Sequence, residues 1–328
     1  MTDEKDKFVC REAGENDFQG IADLLYRNNF APEGLDWSQR EYIEWLKWKY
    51  RANPDGPARI FIVVDPEETI VGLRVNLPRL LTSPATGEFI AYHGLDDLID
   101  EKFHRRGLYS KLRRFGHERV PATFGFASDV VIRVARRWGS RPVGPAQRWW
   151  FPATLGEGVA GKPFGFIAPL VNTLSRFYAF LWLGTCPRTI RMERVIRFEK
   201  DFDIDTSLVH GVRSAAYLNW RFIDNPMYRY SAYEFLDGDK SIGYCVYAAR
   251  GSKAEIYDFV ADRYKRGCLR LFVEHCRGLG FNHLRFRGFA LRLRKYGFIP
   301  RRDSHNNCIA SSELPAGTWM LTLGDRDY

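Results

Sequence analysis

At 328 residues the chain exceeds the usual size of one domain, so we expect two domains of roughly 150 residues each. Its 45% hydrophobic and 27% charged residues are typical of a globular protein and exclude a disordered or fibrous chain. The 49 basic residues outnumber the 40 acidic ones, and the formal net charge of +9 favours a phosphate-bearing or polyanionic partner without identifying it.

The first residues and the cysteines indicate a cytoplasmic protein. Residues 1–7 (MTDEKDK) are too charged for a signal peptide, and no apolar segment follows them. The six cysteines include neither a Cys-x-x-Cys pair nor a spacing typical of metal ligands. We therefore expect reduced thiols, a cytoplasmic location and no bound metal.

The first half of the chain predicts a mixed α/β module, because helical spacing of apolar residues alternates with short β-rich runs. Helices are predicted at 18–28, 38–50, 108–119 and 130–137, and strands at 60–64, 70–75, 89–99 and 122–126. Sequence rich in Pro and Gly at 139–165 closes the module.

An apolar segment follows at 167–184. It contains Pro169, Asn172 and Arg176, and it is too interrupted for a membrane span. We interpret it as a helix that connects two domains. The alternative is a helix that lies on a membrane surface and gives weak membrane association.

The second half of the chain repeats landmarks of the first. Trp45-Leu-Lys-Trp-Lys-Tyr-Arg-Ala-Asn-Pro54 reappears as Tyr217-Leu-Asn-Trp-Arg-Phe-Ile-Asp-Asn-Pro226, with Trp48 and Trp220 at equivalent places. Three further pairs keep the same order along the chain: Val71-Gly72 with Ile242-Gly243, Arg105-Arg106-Gly107 with Lys265-Arg266-Gly267, and Arg137-Trp138-Gly139 with Lys295-Tyr296-Gly297. Such a series predicts two copies of one module, at 1–165 and 206–328, joined by a helical linker at 166–205.

The second copy is predicted to contain the same kinds of element as the first. Its strands are predicted at 231–236, 241–248, 255–260 and 283–286, and its helices at 269–278 and 289–296.

The segment between the strand that ends near Ile99 and the next helix has the features of an anion site. Free backbone N–H groups and the helix dipole at a helix N-terminus attract anions. Arg105, Arg106 and Lys111 add positive charge around this loop. A diphosphate is the anion that the pattern favours.

This segment resembles the acyl-CoA loop of the GNAT superfamily of N-acyltransferases, whose pattern after the fourth strand is Arg/Gln-x-x-Gly-x-Gly/Ala. The matching positions are His104, Gly107 and Tyr109, with His104 in place of Arg or Gln. Tyr109 resembles one branch of the superfamily with a Gly-Leu-Phe/Tyr ending. The helix end Trp-x-Tyr/Phe-x-x-Asn-Pro and the closing Trp319-Met-Leu-Thr-Leu-Gly-Asp325 extend the resemblance over most of the chain.

The resemblance implies an α/β fold with mixed sheets, in two GNAT-like modules in tandem. Proteins of this kind are in part associated with cell-surface polysaccharide biosynthesis. The second copy carries Tyr264 where the key Arg would stand and Leu269 in place of the small residue, so we interpret it as a degenerate module that completes the substrate cleft.

The resemblance also implies how acetyl-CoA or another acyl-CoA is held. The backbone of Leu98 and Ile99 would pair with the pantetheine arm like an added strand. The loop and the start of the next helix would hold the diphosphate, with these residues: His104, Arg105, Arg106, Gly107, Leu108, Tyr109 and Ser110.

An amine acceptor must lose a proton, which requires a carboxylate or a histidine near the thioester. His93, Asp96 and Asp97 lie on or just beyond the predicted fourth strand. Strand alternation puts Asp96 and Asp100 on one face and Asp97 on the other. Asp96 is the first candidate for the base, Asp97 and His93 are the alternatives, and no residue is assigned as the general acid.

The expected activity is transfer of an acyl group to a primary amine on a small molecule, such as an amino sugar or a cell-surface glycan precursor. Two alternatives stay open. One is a Fem-type aminoacyl transferase, although the long helical arm common in that type is not seen. The other is a non-catalytic module that binds acyl-CoA or a polyanion. Nucleic acid is not expected as a partner, because zinc spacing, a recognition-helix pattern and RNA-binding motifs are absent from the sequence. The oligomeric state stays open.

Overall fold

A computed structural model describes residues 7–30, 38–127, 129–137, 139–154, 165–204, 207–262, 264–289 and 291–326. The chain forms two compact units. The N-terminal unit consists of Met1–Pro142 and Cys308–Ala316, and the C-terminal unit of Val143–Asn307 and Gly317–Tyr328. Each unit combines helices with a mixed sheet, which confirms the predicted fold class.

The N-terminal unit is built on a sheet with the strand order β1-β2-β3-β4-β5. Neighbouring strands from β1 to β4 are antiparallel, and β4 and β5 are parallel. The strands are β1 (Val9–Glu12), β2 (Arg59–Val64), β3 (Ile70–Ser83), β4 (Gly87–Ile99) and β5 (Thr123–Ala127). The helices are α1 (Phe18–Arg27), α2 (Gln39–Arg51), α3 (Leu108–Arg119) and α4 (Asp129–Arg136).

Local sequence sets the bounds of α2. Ser38 caps its N-terminus, since the side chain of Ser38 accepts the backbone N–H of Glu41 and the Glu41 carboxylate accepts the N–H of Ser38. Pro54 follows the helix and disfavours α geometry before it. Asn53 then closes the turn, because its side-chain oxygen accepts the N–H of Asp55 at 3.2 Å.

The C-terminal unit has the strand order β6-β12-β11-β10-β9-β7, with β13 on the other side of β6. Only β11 and β12 are parallel among the pairs that the described registers cover along this path. The path contains β6 (Arg141–Pro152), β7 (Ile190–Arg194), β9 (Ser231–Asp237), β10 (Lys240–Arg250), β11 (Lys253–Ala261), β12 (His283–Gly288) and β13 (Ile299–Ala310). Two short strands, β8 (Val209–Gly211) and β14 (Trp319–Met320), pair with each other in parallel.

The helices of the C-terminal unit are α5 (Ala168–Leu183), α6 (Ala215–Leu218) and α7 (Lys265–Gly278). A π-helical turn at Asn219–Ile223 continues α6. The turn after it repeats the local structure that follows α2, since the side-chain oxygen of Asn225 accepts the N–H of Met227 at 3.0 Å. The Asn-Pro landmark of the sequence repeat thus makes the same turn in both units.

The structure differs from the predicted elements in several places. The strands β1, β7 and β13 were not predicted, and two further differences concern β6 and the last predicted helix. The strand β6 lies in the segment 139–165, which was predicted as a closing loop. Pro142, Gly144 and Pro145 are typical of loops and gave no strand pattern. Residues 147–152 form a strand because they pair with β12. The helix predicted at 289–296 is wrong, because the described residues there contain only the short turn Arg294–Tyr296. The segment 289–296 is rich in basic residues and lacks the apolar stripe of a longer helix.

The module bounds 1–165, 166–205 and 206–328 stay a prediction. The bounds of the two compact units differ from these, because β6 pairs with β12 and β7 pairs with β9 within the C-terminal unit. Residues 166–204 therefore supply a helix and an edge strand to the C-terminal unit.

No helix in the described ranges is both long and apolar enough to cross a bilayer. The same residues include no cluster of three or more His, Cys, Asp or Glu side chains that could hold a metal ion. The six cysteines all lie among the described residues, and none of them forms a disulfide.

Candidate active site

The site begins with an irregularity in β4. Leu98 pairs with Leu73 of β3 and Leu95 pairs with Val75, so Asp96 and Asp97 together lie opposite one residue, Arg74. Asp96 takes a left-handed backbone conformation with φ of 51°. This two-against-one arrangement is a β-bulge, which turns the strand and re-aims its side chains.

The bulge lies where β4 and β5 part. The two strands pair at Tyr92 and His93. Beyond that point, residues 94–97 of β4 and 123–126 of β5 line a cavity of about 350 Å³. The edge of β4 is therefore accessible from this cavity at the bulge.

A second cavity of about 530 Å³ lies over the loop that follows β4. Its lining runs from the end of the strand to the first turn of α3: Asp97, Leu98, Ile99, Phe103, His104, Arg105, Gly107, Leu108 and Tyr109. Asp97 and Tyr109 line both cavities. The two openings thus meet at these side chains.

The loop is fixed at its start by Asp100. Its carboxylate accepts hydrogen bonds from the Arg27 side chain at 2.6 Å and from the backbone N–H of Lys102 at 3.1 Å. Burial of Asp100 acts to raise its pKa, but the two hydrogen bonds and the positive charges of Arg27 and Lys102 hold the pKa below its ordinary value. Asp100 therefore stays ionised and ties the loop to α1.

The end of the loop has the backbone of an anion site. Arg105 and Gly107 both have positive φ, at 64° and 75°, and Gly107 caps the N-terminus of α3. Such left-handed residues beside a helix start direct successive N–H groups to one side. Leu108 is buried beneath the loop, whereas Arg105, Arg106 and Ser110 are exposed.

Two residues predicted to serve the loop have other partners. The ring of His104 donates a hydrogen bond from Nε2 to the carbonyl oxygen of Ile99 at 2.9 Å. Lys111 donates to the carbonyl oxygen of Phe8 at 2.7 Å, which holds α3 to the segment before β1. Lys102, Arg105 and Arg106 are the exposed Lys and Arg side chains of the loop, and the two arginines lie nearest the start of α3.

Asp96 is held on the face of the sheet that α2 covers. Its Oδ2 accepts a hydrogen bond from Lys49 at 2.8 Å and from the Tyr50 phenol at 2.5 Å. Lys49 is only 3% exposed, so Asp96 neutralises a buried cation.

Asp97 projects from the opposite face, toward α3. Its Oδ2 accepts a hydrogen bond from Arg74 at 2.6 Å, while its buried Oδ1 has no hydrogen-bond partner among the described residues. Burial raises the pKa of Asp97, against the lowering effect of the Arg74 and Arg113 guanidinium groups. A carboxylate of this kind, at the mouth of two cavities, has the character of a functional group.

Tyr109 lies beside Asp97 on the first turn of α3. Burial raises the pKa of Tyr109, and the charge of Asp97 raises it further, while the nearby Arg113 and Arg74 act to lower it. The phenol therefore remains a proton donor at neutral pH.

His93 is packed rather than presented to either cavity. It is 5% exposed, and its ring stacks on Phe124 at 5.1 Å and meets Phe126 edge-on at 5.2 Å. This contact joins β4 to β5 where the strands are still paired.

The sequence did not point to the partners of these carboxylates. Arg74 and Lys49 are the two cations concerned, and Arg113 and Tyr50 complete their surroundings. A charged residue inside the apolar run 70–75 was the one signal available for Arg74, because an unpaired charge is rarely buried.

The loop before α7 in the C-terminal unit does not match the loop before α3 in the way that the sequence predicted. Helix α7 begins at Lys265 and is capped by Tyr264, which has a left-handed φ of 48°. Tyr264 thus takes the structural place of Gly107, and Gly267 lies inside the helix, packed against Pro187 and Cys186. The match of Lys265-Arg266-Gly267 to Arg105-Arg106-Gly107 is wrong in register.

Comparison with known proteins supports the fold. A probable N-acyltransferase of unknown function from Enterococcus faecalis V583 is similar with a TM-score of 0.63 and 10% identity, over 92% of this chain and 71% of that one. A GCN5-related N-acetyltransferase from Anabaena variabilis gives 0.59 and 12%, over 92% and 72%, and one from Kribbella flavida gives 0.59 and 14%, over 92% and 70%. No family model and no curated protein matches the chain.

Proposed function

We propose that the N-terminal unit is an acyl-CoA-dependent N-acyltransferase, which transfers an acetyl or other acyl group to the primary amine of a small acceptor. The observation that carries the proposal is the meeting of the loop cavity and the β4–β5 cavity at Asp97 and Tyr109. One opening suits an extended donor with a diphosphate, and the other suits an acceptor. The fold of the similar proteins, which are named N-acetyltransferases, supports this assignment.

The loop residues fit the diphosphate of acyl-CoA. The N–H groups around Gly107 at the start of α3 can donate to the phosphates, and the exposed Arg105 and Arg106 add charge. The backbone of Leu98 and Ile99 is proposed to pair with the pantetheine arm. His104 must then release the Ile99 carbonyl, since that oxygen accepts its Nε2–H.

Bound acyl-CoA supplies an activated thioester. The chain supplies orientation and proton transfer. Asp97 is proposed to accept a proton from the acceptor amine, directly or through a water, while Arg74 fixes the carboxylate by its hydrogen bond to Oδ2. Tyr109 is proposed to donate a proton to the departing thiolate, because its raised pKa keeps the phenol protonated.

Asp96 fits the role of base less well than Asp97, since two donors hold its Oδ2 and one of them, Lys49, is a buried cation that Asp96 neutralises. Its proposed contribution is to hold the bulge from the α2 side. His93 is proposed to fix the point where β4 and β5 part.

The acceptor is proposed to be an amino sugar or a related glycan precursor, on the resemblance of the sequence to tandem proteins of polysaccharide biosynthesis. A cytoplasmic location is proposed with it, because acyl-CoA is made and kept there. The C-terminal unit is proposed as a degenerate second module.

Release of free CoA thiol in the presence of a panel of amino sugars and amino acids tests the proposal. Asp97→Asn should lower turnover by about 10²–10⁴-fold with little change in CoA affinity, because the phosphates bind elsewhere. Wild-type activity should also depend on the ionisation of Asp97. Because the pKa of Asp97 is raised, activity should decline on the acid side at a pH above the ordinary carboxylate pKa of about 3.9.

Asp96→Asn is the matched variant, since it changes the neighbouring carboxylate in the same way. Loss of turnover in Asp96→Asn with full activity in Asp97→Asn would move the base to Asp96. CoA binding without thiol release for any amine would instead identify a non-catalytic acyl-CoA-binding module.

A further inference from the structure

Helix α5 and the turn before it carry an unusual amount of exposed apolar surface. Seven large apolar side chains there are between 39% and 79% exposed: Phe166, Leu170, Leu174, Phe177, Phe180, Leu181 and Trp182. Single exposed apolar residues are normal, but a contiguous patch of this size marks an interaction surface.

The exposed side chains form one stripe. Residues 166, 170, 174, 177 and 181 recur at intervals of four and three, which places them along one face of a helix. Ser175, Ala179 and Leu183 are buried and lie on the opposite face. The stripe therefore points away from the body of the C-terminal unit.

The helix is firmly held in this orientation. Arg277 of α7 donates a hydrogen bond to the carbonyl oxygen of Ser175 at 2.9 Å. The Tyr178 phenol donates to the carbonyl oxygen of Gly297 at 2.6 Å. Trp182 packs so closely on Gly297 that a side chain there would meet its ring at 2.5 Å. The outward direction of the stripe is thus built into the unit.

The charge around the stripe is positive. The sequence from 158 to 192 contains four basic residues and no Asp or Glu. Arg176 and Arg188 are exposed in this segment, and Arg294 and Lys295 are exposed on the turn that α5 contacts. An apolar stripe bordered by Arg and Lys matches a surface that is apolar inside and anionic outside.

We propose that α5 lies along the surface of an anionic phospholipid membrane, with its stripe inserted among the acyl chains and its basic border facing the headgroups. A second copy of this chain fits less well, because a symmetric contact through the stripe would bring the basic residues on its border together. The proposal is independent of the acyltransferase activity.

Co-sedimentation of the full chain with vesicles tests the proposal. The chain should bind vesicles of phosphatidylglycerol and phosphatidylcholine and should bind phosphatidylcholine alone much more weakly. Phe177→Ser with Leu181→Ser should lower partitioning by about tenfold or more, because both side chains are exposed and contribute directly to insertion. Arg176→Glu should lower it several-fold, and raised salt should do the same.

Leu279→Ser is the matched control. Leu279 is 54% exposed in the C-terminal unit but lies outside α5, so its substitution should leave partitioning unchanged. Circular dichroism should show equal helix content in all variants, since none of the substituted side chains is buried. Equal partitioning of wild type and the Phe177→Ser/Leu181→Ser variant would overturn the proposal. A dimer in vesicle-free solution that dissociates on the same substitutions would also overturn it.

Discussion

The two units share an anchor point at the end of a central strand but differ in the connection from that strand to the next helix. The N–H of Asp100 donates to Val71 in the N-terminal unit, and the N–H of Asp262 donates to Ile242 in the C-terminal unit, each at 2.9 Å. Seven residues, 101–107, then precede α3, whereas only residues 263 and 264 precede α7. The shorter connection has no room for the turn that carries the positive φ of Arg105.

The strands before these loops also differ. Phe259 is the counterpart of Asp97 in the C-terminal unit. Asp97 lies two residues before Ile99, which pairs with Gly72. Phe259 lies two residues before Ala261, which pairs with Gly243. At Asp97 the register breaks, whereas Phe259 pairs regularly with Cys245. The register of β10 and β11 shifts one residue farther along, between Val246 and Tyr247, next to Asp258. The C-terminal unit therefore has its irregularity at a different place and has no carboxylate at the place of Asp97.

A structural charge is kept in both units. Asp96 is neutralised by the buried Lys49, and Asp258 is neutralised by the buried Arg213 at 2.6 Å. The comparison teaches that these paired carboxylates belong to the architecture, while the length of the loop and the position of the bulge differ where chemistry is proposed.

Removing the buried cation should give the largest effect on stability, and more in the C-terminal unit. Arg213 is fully buried and bonds Asp325 as well as Asp258. Arg213→Met would leave two buried carboxylates without a cation, which we expect to cost about 3–5 kcal/mol in the free energy of unfolding. Lys49→Met should cost less, because it removes the cation from one carboxylate and not two, and because the Asp96 side chain is 15% exposed. Urea denaturation of both variants measures the difference, and equal losses would contradict it.

The loop should be the next most sensitive feature, and only in the N-terminal unit. Gly107→Val places a β-branched side chain at a φ of 75°, so CoA affinity should fall by about 100-fold or more. Arg266→Ala, an exposed change at the start of α7, should leave it unchanged. Isothermal calorimetry with CoA measures both affinities. Weaker binding in Arg266→Ala alone would place the site in the C-terminal unit.

The support beneath Asp97 should have a moderate effect. A Cβ on Gly116 of α3 would lie 3.0 Å from Cδ and 3.1 Å from Nε of Arg74. Gly116→Ala should displace Arg74 from Asp97 and lower kcat by about tenfold, with CoA affinity unchanged. Gly278→Ala in α7 is the control, because nothing lies within 4 Å of its Cβ. Steady-state kinetics that show equal kcat for both variants would exclude this positioning role.

The smallest expected effect is on the stability of the fold at acid pH. Burial lowers the pKa of His283 to about 4, helped by the charges of Lys253, Arg285 and Arg301. The lowered pKa means that the neutral ring stabilises the fold above the unfolded pKa of about 6.5, and that this contribution is lost as the pH falls toward 4. His283→Gln should therefore show a smaller drop in Tm between pH 7 and pH 4.5 than wild type. Identical drops would show that His283 takes no part.

Sequence patterns predicted the strand and its faces well. Alternation along β4 put Asp96 and Asp100 on one side and Asp97 on the other, and the contacts with α2, α1 and α3 confirm this. The reason is that side chains in a strand alternate regardless of what covers each face. The helix start at Leu108 was predicted equally well, because a glycine directly precedes it.

Pattern matching failed where spacing alone was used. The glycines at 107 and 267 match in sequence, yet one caps a helix and the other lies inside one. A deletion of a few residues in the loop shifts such a match without leaving a sign in the residues themselves.

The sequence by itself determined the fold class, the position of the loop and the candidates for the base, since these follow from local periodicity and local backbone preferences. Only the tertiary structure decided which partners each candidate has. Lys49 is 47 residues from Asp96 and Arg74 is 23 residues from Asp97, and folding alone brings each cation to its carboxylate. The surroundings of each carboxylate depend on those distant partners, because the character of an ionisable group is set by its surroundings and not by its place in the chain.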